Sequence, residues 1–289
     1  MKTYAAFALL TATAVQAFQI APTRSIAPKF LATDVGRRSE APFCMKARVA
    51  PEIDADDVPS STFNPIAAVP WVSLVSLVIY LSGDQGLISA SDQAMIEGIL
   101  ADPANPGFNE LFYMIFNFFV PMPMILAALL LPQGRPGKGL PAGPFLCLSS
   151  FIGYFALGPY LTFRAPPRDS VTQSELSWFT AKVTENKLLG LSLAAAVTAI
   201  PFLSHVPEAF QTDASGLWQG FLDLLASSKF ALVSSLDLTC LHLTAVALTA
   251  RDYRLRTGRD GTLIAASTLF LPLLGSSIYL ALRPPIPEE

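Results

Sequence analysis

Charge is scarce in this chain. Asp, Glu, Lys and Arg make up 14% of its 289 residues, where a soluble domain carries roughly 25%, and they leave a formal net charge of -3. Such scarcity excludes the charged shell of a water-soluble domain. With no basic stripe and an isoelectric point near 5.4, it also excludes nucleic acid as a partner. Histidine is rare as well, and the three cysteines, Cys44, Cys147 and Cys240, stand far apart with no CxxC pair. A zinc centre or a disulfide framework needs ligand clusters that are missing here, so no metal and no cofactor is expected. Only a pigment or a lipid would suit so apolar a composition. The sequence has no HExxH, no Gly-x-Ser-x-Gly elbow and no paired-carboxylate motif. Gly134, Gly137 and Gly139 around Lys138 lack the GxxxxGK[ST] spacing of a phosphate loop. These absences lean away from an enzyme.

What the chain has is apolar length. Hydrophobic residues reach 52% and mean hydropathy is +0.47. A helical crossing of a bilayer takes about 20 largely apolar residues, and runs of about this kind fall at 66–82, 111–131, 144–163, 188–203, 230–250 and 263–282. The expectation is an all-α, polytopic membrane helix bundle of six spans within residues 66–285. Pro121 and Pro123 should bend the second span, and Pro272 and Gly275 interrupt the sixth. Between spans one and two, residues 91–100 read as an amphipathic surface helix with a Ser N-cap. Trp218, Phe221, Leu222 and Leu225 share one face of a second helix suited to the headgroup plane.

The first 48 residues read as an address. Lys2, an apolar stretch over 5–15 and the small residues Val15 and Ala17 form a signal peptide over 1–17, and 18–48 is basic, acid-poor and Ser/Thr-bearing like a transit peptide. A signal followed at once by a transit stretch, with Phe18 at the junction, resembles the bipartite presequence of algae with complex plastids. It implies a plastid membrane, thylakoid or inner envelope. Residues 49–65 form an acidic linker with Glu52, Asp54, Asp56 and Asp57, too polar to fold alone.

The ends of runs three and six, PYLTFRAPP and IYLALRPP, are alike. In each a tyrosine precedes an arginine by four residues, Tyr160 and Arg164, Tyr279 and Arg283, one helix face apiece, and all four are expected as anchors at the headgroups. The Tyr160-to-Tyr279 interval also carries run two onto run five. Either the chain holds two three-helix repeats, the second inverted because three is odd, or evenly spaced runs arose by chance. With six crossings, Arg164, Arg168, Lys182, Lys187, Arg251, Arg254, Arg256 and Arg259 would share the side of insertion, opposite Arg135, Lys138 and Arg283.

The fifth run carries two titratable groups, Asp237 and His242. A carboxylate in hydrocarbon costs about 2.5 kcal/mol or more, so Asp237 must face protein. Ser234, Asp237 and Thr244 recur at helical spacing on one face, and His242 is turned away by about 140°. Asn117 on the bent second span is the natural partner. Asp237, Asn117 and His242 either line a proton- or substrate-handling cavity or make interhelical hydrogen bonds of about 0.6 kcal/mol each.

The phrases LFYMIFNFFVPMPMILAALLLP, YFALGPYLTFRAPP, SSKFALVSSLDLTC and LPLLGSSIYLALRPP resemble an uncharacterised family of cyanobacterial and plastid multi-pass membrane proteins. A weaker similarity, through Asn117, Pro121, HLTAVALTAR and the 272–275 region, is to the neoxanthin-synthase-type plastid membrane proteins of xanthophyll conversion. The acidic residue those proteins carry after the histidine is Ala247 here. That family brings no activity to transfer; the leading expectation is an accessory or biogenesis factor of the photosynthetic membrane, with the bilayer and photosynthetic complexes as partners. A small-solute or proton transporter and a carotenoid-modifying enzyme are the alternatives.

Overall fold

The computed structural model describes residues 61–83, 88–102, 107–135 and 139–288. The signal, the transit stretch and most of the acidic linker lie outside the described residues, and the described chain is helical, with no strand. Helix α1, Pro65–Ser82, starts where the Asn64 side chain accepts from the Ile66 amide and proline takes the first position, where its missing N–H costs nothing. Helix α2, Ala90–Ala101, is opened by a capping box of Ser89 and Asp92, one residue ahead of the predicted start. Helices α3, Glu110–Asn117, and α4, Met122–Leu130, make one span over Glu110–Gln133. It breaks at Pro121 and Pro123, as expected of residues that cannot donate to the preceding turn.

The predicted third and sixth spans are each two short helices. The third divides at Gly153 into α5, Ala142–Ile152, and α6, Tyr154–Phe163. Later come α7, Lys187–Leu203, α8, Val206–Ser227, and the 29-residue α9, Lys229–Thr257. The sixth run then divides into α10, Thr262–Leu269, and α11, Leu274–Leu282. Three described helices are long and apolar enough to cross a membrane, α1, the α3–α4 pair and α9, and a fourth follows if α7 and α8, bent by 51°, count as one.

Contacts at the helix ends show why runs three and six are not simple crossings. Pro141 and Ala142, where α5 begins, line the same cavity as Arg164, where α6 ends, so the pair folds back on itself. Its tip, Gly153, lies against Asp237, about a third of the way along α9. In the second pair Gly261 touches the Ala250 backbone at the start, Thr268 touches Gly275 at the tip, and Arg283 at the end reaches Asp252. That tip lies beside His242, whose ring meets the Leu269 carbonyl at 3.3 Å. At 1.5 Å per residue, each tip sits roughly half a bilayer core from the end where its limbs start. The break residues carry the needed backbone: Gly153 at φ 58° and Leu273 at φ 58°, the left-handed region that glycine enters freely and leucine only under constraint.

The return limbs pack on long helices, α6 on α1 and α11 on α7, the two most extensive nonadjacent helix contacts. Gly158 sits under the Trp71 ring, and Gly190 lies against the Leu280–Ala281 backbone, where any Cβ would overlap it. Small residues permit such close helix approach in apolar surroundings. Between the halves α3–α4 and α9 run side by side in the same direction, Phe112 stacking edge-on to Phe230 at 5.9 Å and Gln133 donating to the Leu248 carbonyl at 3.2 Å. Leu126, Leu129, Leu130, Leu241 and Leu248 fill the seam.

One end of the bundle therefore gathers the start of α1, the ends of α3–α4 and α9, and both ends of both hairpins. Arg135 and Arg283, expected opposite the other arginines, stand with them there, because two runs turn back. The other end carries Asp92, Glu97, Glu110, Glu208, Asp213 and Asp223. In a cysteine-free background, single cysteines at Leu140, Ser174 and Arg259 should react with an impermeant maleimide from one side of the membrane, and cysteines at Gln93 and Thr212 from the other. A simple third crossing would put Leu140 and Ser174 on opposite sides.

Candidate functional site

Asp237 is buried on α9, where Ser234, Asp237, Cys240 and Thr244 form the predicted polar stripe. Facing it is the tip of the first hairpin. Oδ1 accepts from the Tyr154 amide at 2.7 Å, the first amide of α6, and Oδ2 lies where a side chain on residue 153 would be. A helix N-terminus presents unsatisfied N–H groups and partial positive charge, so this carboxylate is the cap of a helix that begins inside the bundle. Tyr154 extends on to donate to the Ala67 carbonyl at 3.1 Å and has Thr244 as a second hydroxyl partner. The stripe thus faces protein as its spacing predicted, and its partner is a backbone amide of the third run. No motif marks that amide; Gly153 alone hints at it.

The three groups expected together are apart. Asn117 donates to the Tyr113 carbonyl of its own helix at 3.0 Å and to Ser204 Oγ at 3.4 Å, fixing the second span against the end of α7. His242 meets the Leu269 carbonyl, and its Nδ1 is buried without a partner. Ser234 is half-buried. The structure gives Asp237, Asn117 and His242 three separate helix-fixing contacts. Among the described residues no group of His, Cys, Asp and Glu could hold a metal.

A second polar centre, at the arginine end, is one the sequence reading did not assemble. Arg256 donates to Asp252 at 2.7 Å and to both oxygens of Glu185 at 2.8 Å. Arg283 donates to the Ala128 carbonyl at 2.9 Å and to Glu185 at 3.0 Å, and stands 3.5 Å from Asp252. The Tyr279 hydroxyl completes the set on Asp252 at 2.7 Å. Tyr279 and Arg283, predicted as headgroup anchors, are buried in this network, and Tyr160 is buried too. The four-residue spacing put ring and guanidinium on one face, but the hairpin turns that face inward. Buried ion pairs of this kind hold only while every member is present, since removing one partner costs about 3–5 kcal/mol.

At the opposite end, Asp92 ties α2 to α9. Its Oδ2 accepts the Ser89 amide at 3.1 Å and its Oδ1 the Ser228 hydroxyl at 2.5 Å, while Ser228 Oγ caps α9 through Ala231 N at 3.0 Å. Burial opposes ionisation of this carboxyl, but the hydrogen bonds from Ser228, Ser89 and the Phe230 amide outweigh it and hold Asp92 below the usual carboxylate range.

Searches of family models, of curated proteins and of solved structures find no match to this chain.

Two outcomes follow. Asp237→Asn keeps an oxygen for the Tyr154 amide and should fold and unfold in detergent nearly as the native chain, whereas Asp237→Ala leaves that amide bare and should lose about 1–3 kcal/mol in a denaturant titration. Asp92, with its carboxyl depressed in the folded state, stabilises above the ordinary unfolded value near 3.9. That contribution should fall away as pH drops through and below this value toward the folded one. Thermal unfolding measured from pH 7 down to pH 3 should show the decline, flatter in Ser228→Ala.

Proposed function

We propose that the chain is an integral protein of a plastid membrane, delivered by the leader within residues 1–48, and that it serves as an accessory or biogenesis factor of the photosynthetic membrane rather than as a catalyst. The observation that supports this reading is the separate engagement of its intramembrane polar groups. Asp237 caps α6, Asn117 ties α3 to the end of α7, and His242 meets the tip of the second hairpin. Each joins helices, and each has its own partner. What the molecule offers outward is an arginine-rich end and apolar helix faces such as Val72, Ile79, Leu188 and Leu191.

In this reading the chain is a tandem duplication: a crossing, a surface helix, a second crossing and a re-entrant hairpin, twice over. Its support is the correspondence of contacts, α1 with α6 matching α7 with α11, and α9 with α6 matching α4 with α11. The Tyr160–Arg164 and Tyr279–Arg283 pairs end corresponding limbs. Two crossings per copy is an even number, so the copies lie parallel, in place of the inverted arrangement that three crossings would impose. The arginine end then faces the side of insertion, the stroma for a plastid inner membrane.

The transporter reading finds its support in the two helix breaks at mid-depth, since interrupted helices are where transporters bind solutes. It requires that Asp237→Asn abolish transport by reconstituted protein. A carotenoid-modifying enzyme requires an altered pigment chromatogram on deletion.

The deciding experiment is deletion together with a tagged chain run on a native gel after mild detergent extraction. The tagged chain should migrate with pigment–protein complexes, and the deletion should lower their accumulation. Migration alone, with complexes at normal levels in the deletion, overturns the accessory role.

A further inference from the structure

The two hairpins end alike in sequence but not in charge. In the second, Arg283 and Arg256 face two carboxylates, Asp252 and Glu185. In the first, Arg164 is hydrogen-bonded to the Tyr160 hydroxyl and, among the described residues, has no carboxylate within ion-pair distance. The residue that precedes Asp252 by the Tyr160-to-Tyr279 interval is Gln133, a neutral side chain. Gln133 is fully buried, its Nε2 fixed on the Leu129 and Leu248 carbonyls at 2.7 and 3.2 Å, and its Oε1 has no partner.

These residues line a cavity of about 430 Å³ that also holds Arg135 and Arg168. Glu175, 3.2 Å from Arg168 and half-exposed, is the carboxylate on its wall, so three guanidinium groups face one acid. Arg168 Nη1 is buried and ion-paired with Glu175 Oε2 at 3.2 Å, but out of line for a hydrogen bond. The site thus carries an excess of positive charge, centred on Arg164 and Arg135, and beside it an unpaired acceptor, Gln133 Oε1, lacks a donor. A phosphodiester bearing a free hydroxyl answers both: its oxygens suit the arginine forks, and its hydroxyl suits the amide oxygen.

Arg164 also borders a second, apolar space of about 130 Å³ between α1, α6 and α9, walled by Ile66, Pro70, Leu161, Leu243 and Ala247. A polar cavity and an apolar slot sharing one arginine match an amphiphile, with its charge at the water-facing end and its chain running along the bundle. We propose that this is a binding site for an anionic membrane lipid whose headgroup is a hydroxyl-bearing phosphodiester, held by Arg164, Arg168, Arg135 and Gln133. The bound lipid stands where Asp252 and Glu185 stand in the other half, and it neutralises the first hairpin's end as they do the second's.

The test is native mass spectrometry of the full chain, stripped of lipid in a neutral detergent and titrated with phosphatidylglycerol, phosphatidylcholine or glycerol phosphate. Phosphatidylglycerol should be retained at concentrations about tenfold or more below those needed for phosphatidylcholine, a gap of about 1.4 kcal/mol. Arg164→Gln should close the gap. Leu140→Glu, placed at the 42% exposed rim, should close it too while leaving the melting temperature unchanged, which separates lost binding from lost folding. Arg259→Gln, on the same end but off the cavity wall, should bind as the native chain does. Equal retention of the two lipids, or native retention by Leu140→Glu, overturns the site. Glycerol phosphate competing at the same concentration as phosphatidylglycerol overturns the lipid assignment in favour of a soluble anion.

Discussion

The structure depends on one hydrogen bond, from the amide of Tyr154 to the carboxylate of Asp237. A helix that begins halfway through an apolar bundle exposes amides that water cannot reach, and each unsatisfied group costs several kcal/mol in hydrocarbon. Asp237 answers this directly, and the geometry leaves no tolerance: residue 153 must be glycine, both for its φ of 58° and because the carboxylate fills the position of a side chain. The second tip meets the same requirement differently. Its turn closes on itself, Leu274 donating to Pro272 at 2.6 Å and Gly275 to Leu271 at 2.8 Å, with the His242 ring at the Leu269 carbonyl. One break is thus held by a neighbouring helix and the other mainly by its own backbone.

With the tips held, the rest of the architecture follows from where the limbs return. Both hairpins bring their ends back to the end from which they entered, so arginines that six crossings would divide between two sides collect on one. Guanidinium groups brought together at low dielectric need carboxylates or waters. Asp252 and Glu185 supply the former in the second half, and Tyr279 hydrogen-bonds to Asp252 from the same limb as Arg283. The cost of desolvating these charges is offset only by complete pairing, which the network achieves with backbone carbonyls of Ala128, Thr184 and Pro284 as further acceptors.

Much of this was legible in the residues. The long apolar runs appear where expected, the bend at Pro121 and Pro123 is real, and the polar stripe through Asp237 faces protein. What periodicity could not convey was direction. An apolar run of twenty residues reads the same whether it crosses or turns back at its middle, because both limbs of a hairpin bury the same residue types. The distinguishing signals, Gly153 in one run and Pro272 with Gly275 in the other, are single residues that interrupted crossings also contain. Misreading direction then moved Arg135 and Arg283 to the wrong end, and it turned Tyr279 and Arg283 into surface anchors. Asp252 and Glu185 were passed over because in sequence each sits among basic residues and reads as a solvated loop charge.

The asymmetry between the halves bears on what the molecule does. Two equivalent ends, each closed by its own carboxylates, would make a self-sufficient bundle with no need of anything from its surroundings. Here the second hairpin's end is closed by Asp252 and Glu185, and the first carries the neutral Gln133 beside Arg164. A glutamine at that place keeps the hydrogen bonds to Leu129 and Leu248 that hold α4 against α9, while giving up the charge. Holding the seam needs only the amide donor, so the seam's packing does not account for the unpaired oxygen beside it or for the arginines around it. Those features make sense if the first hairpin's end is completed from outside the chain, by the anionic surface of the membrane in which it sits.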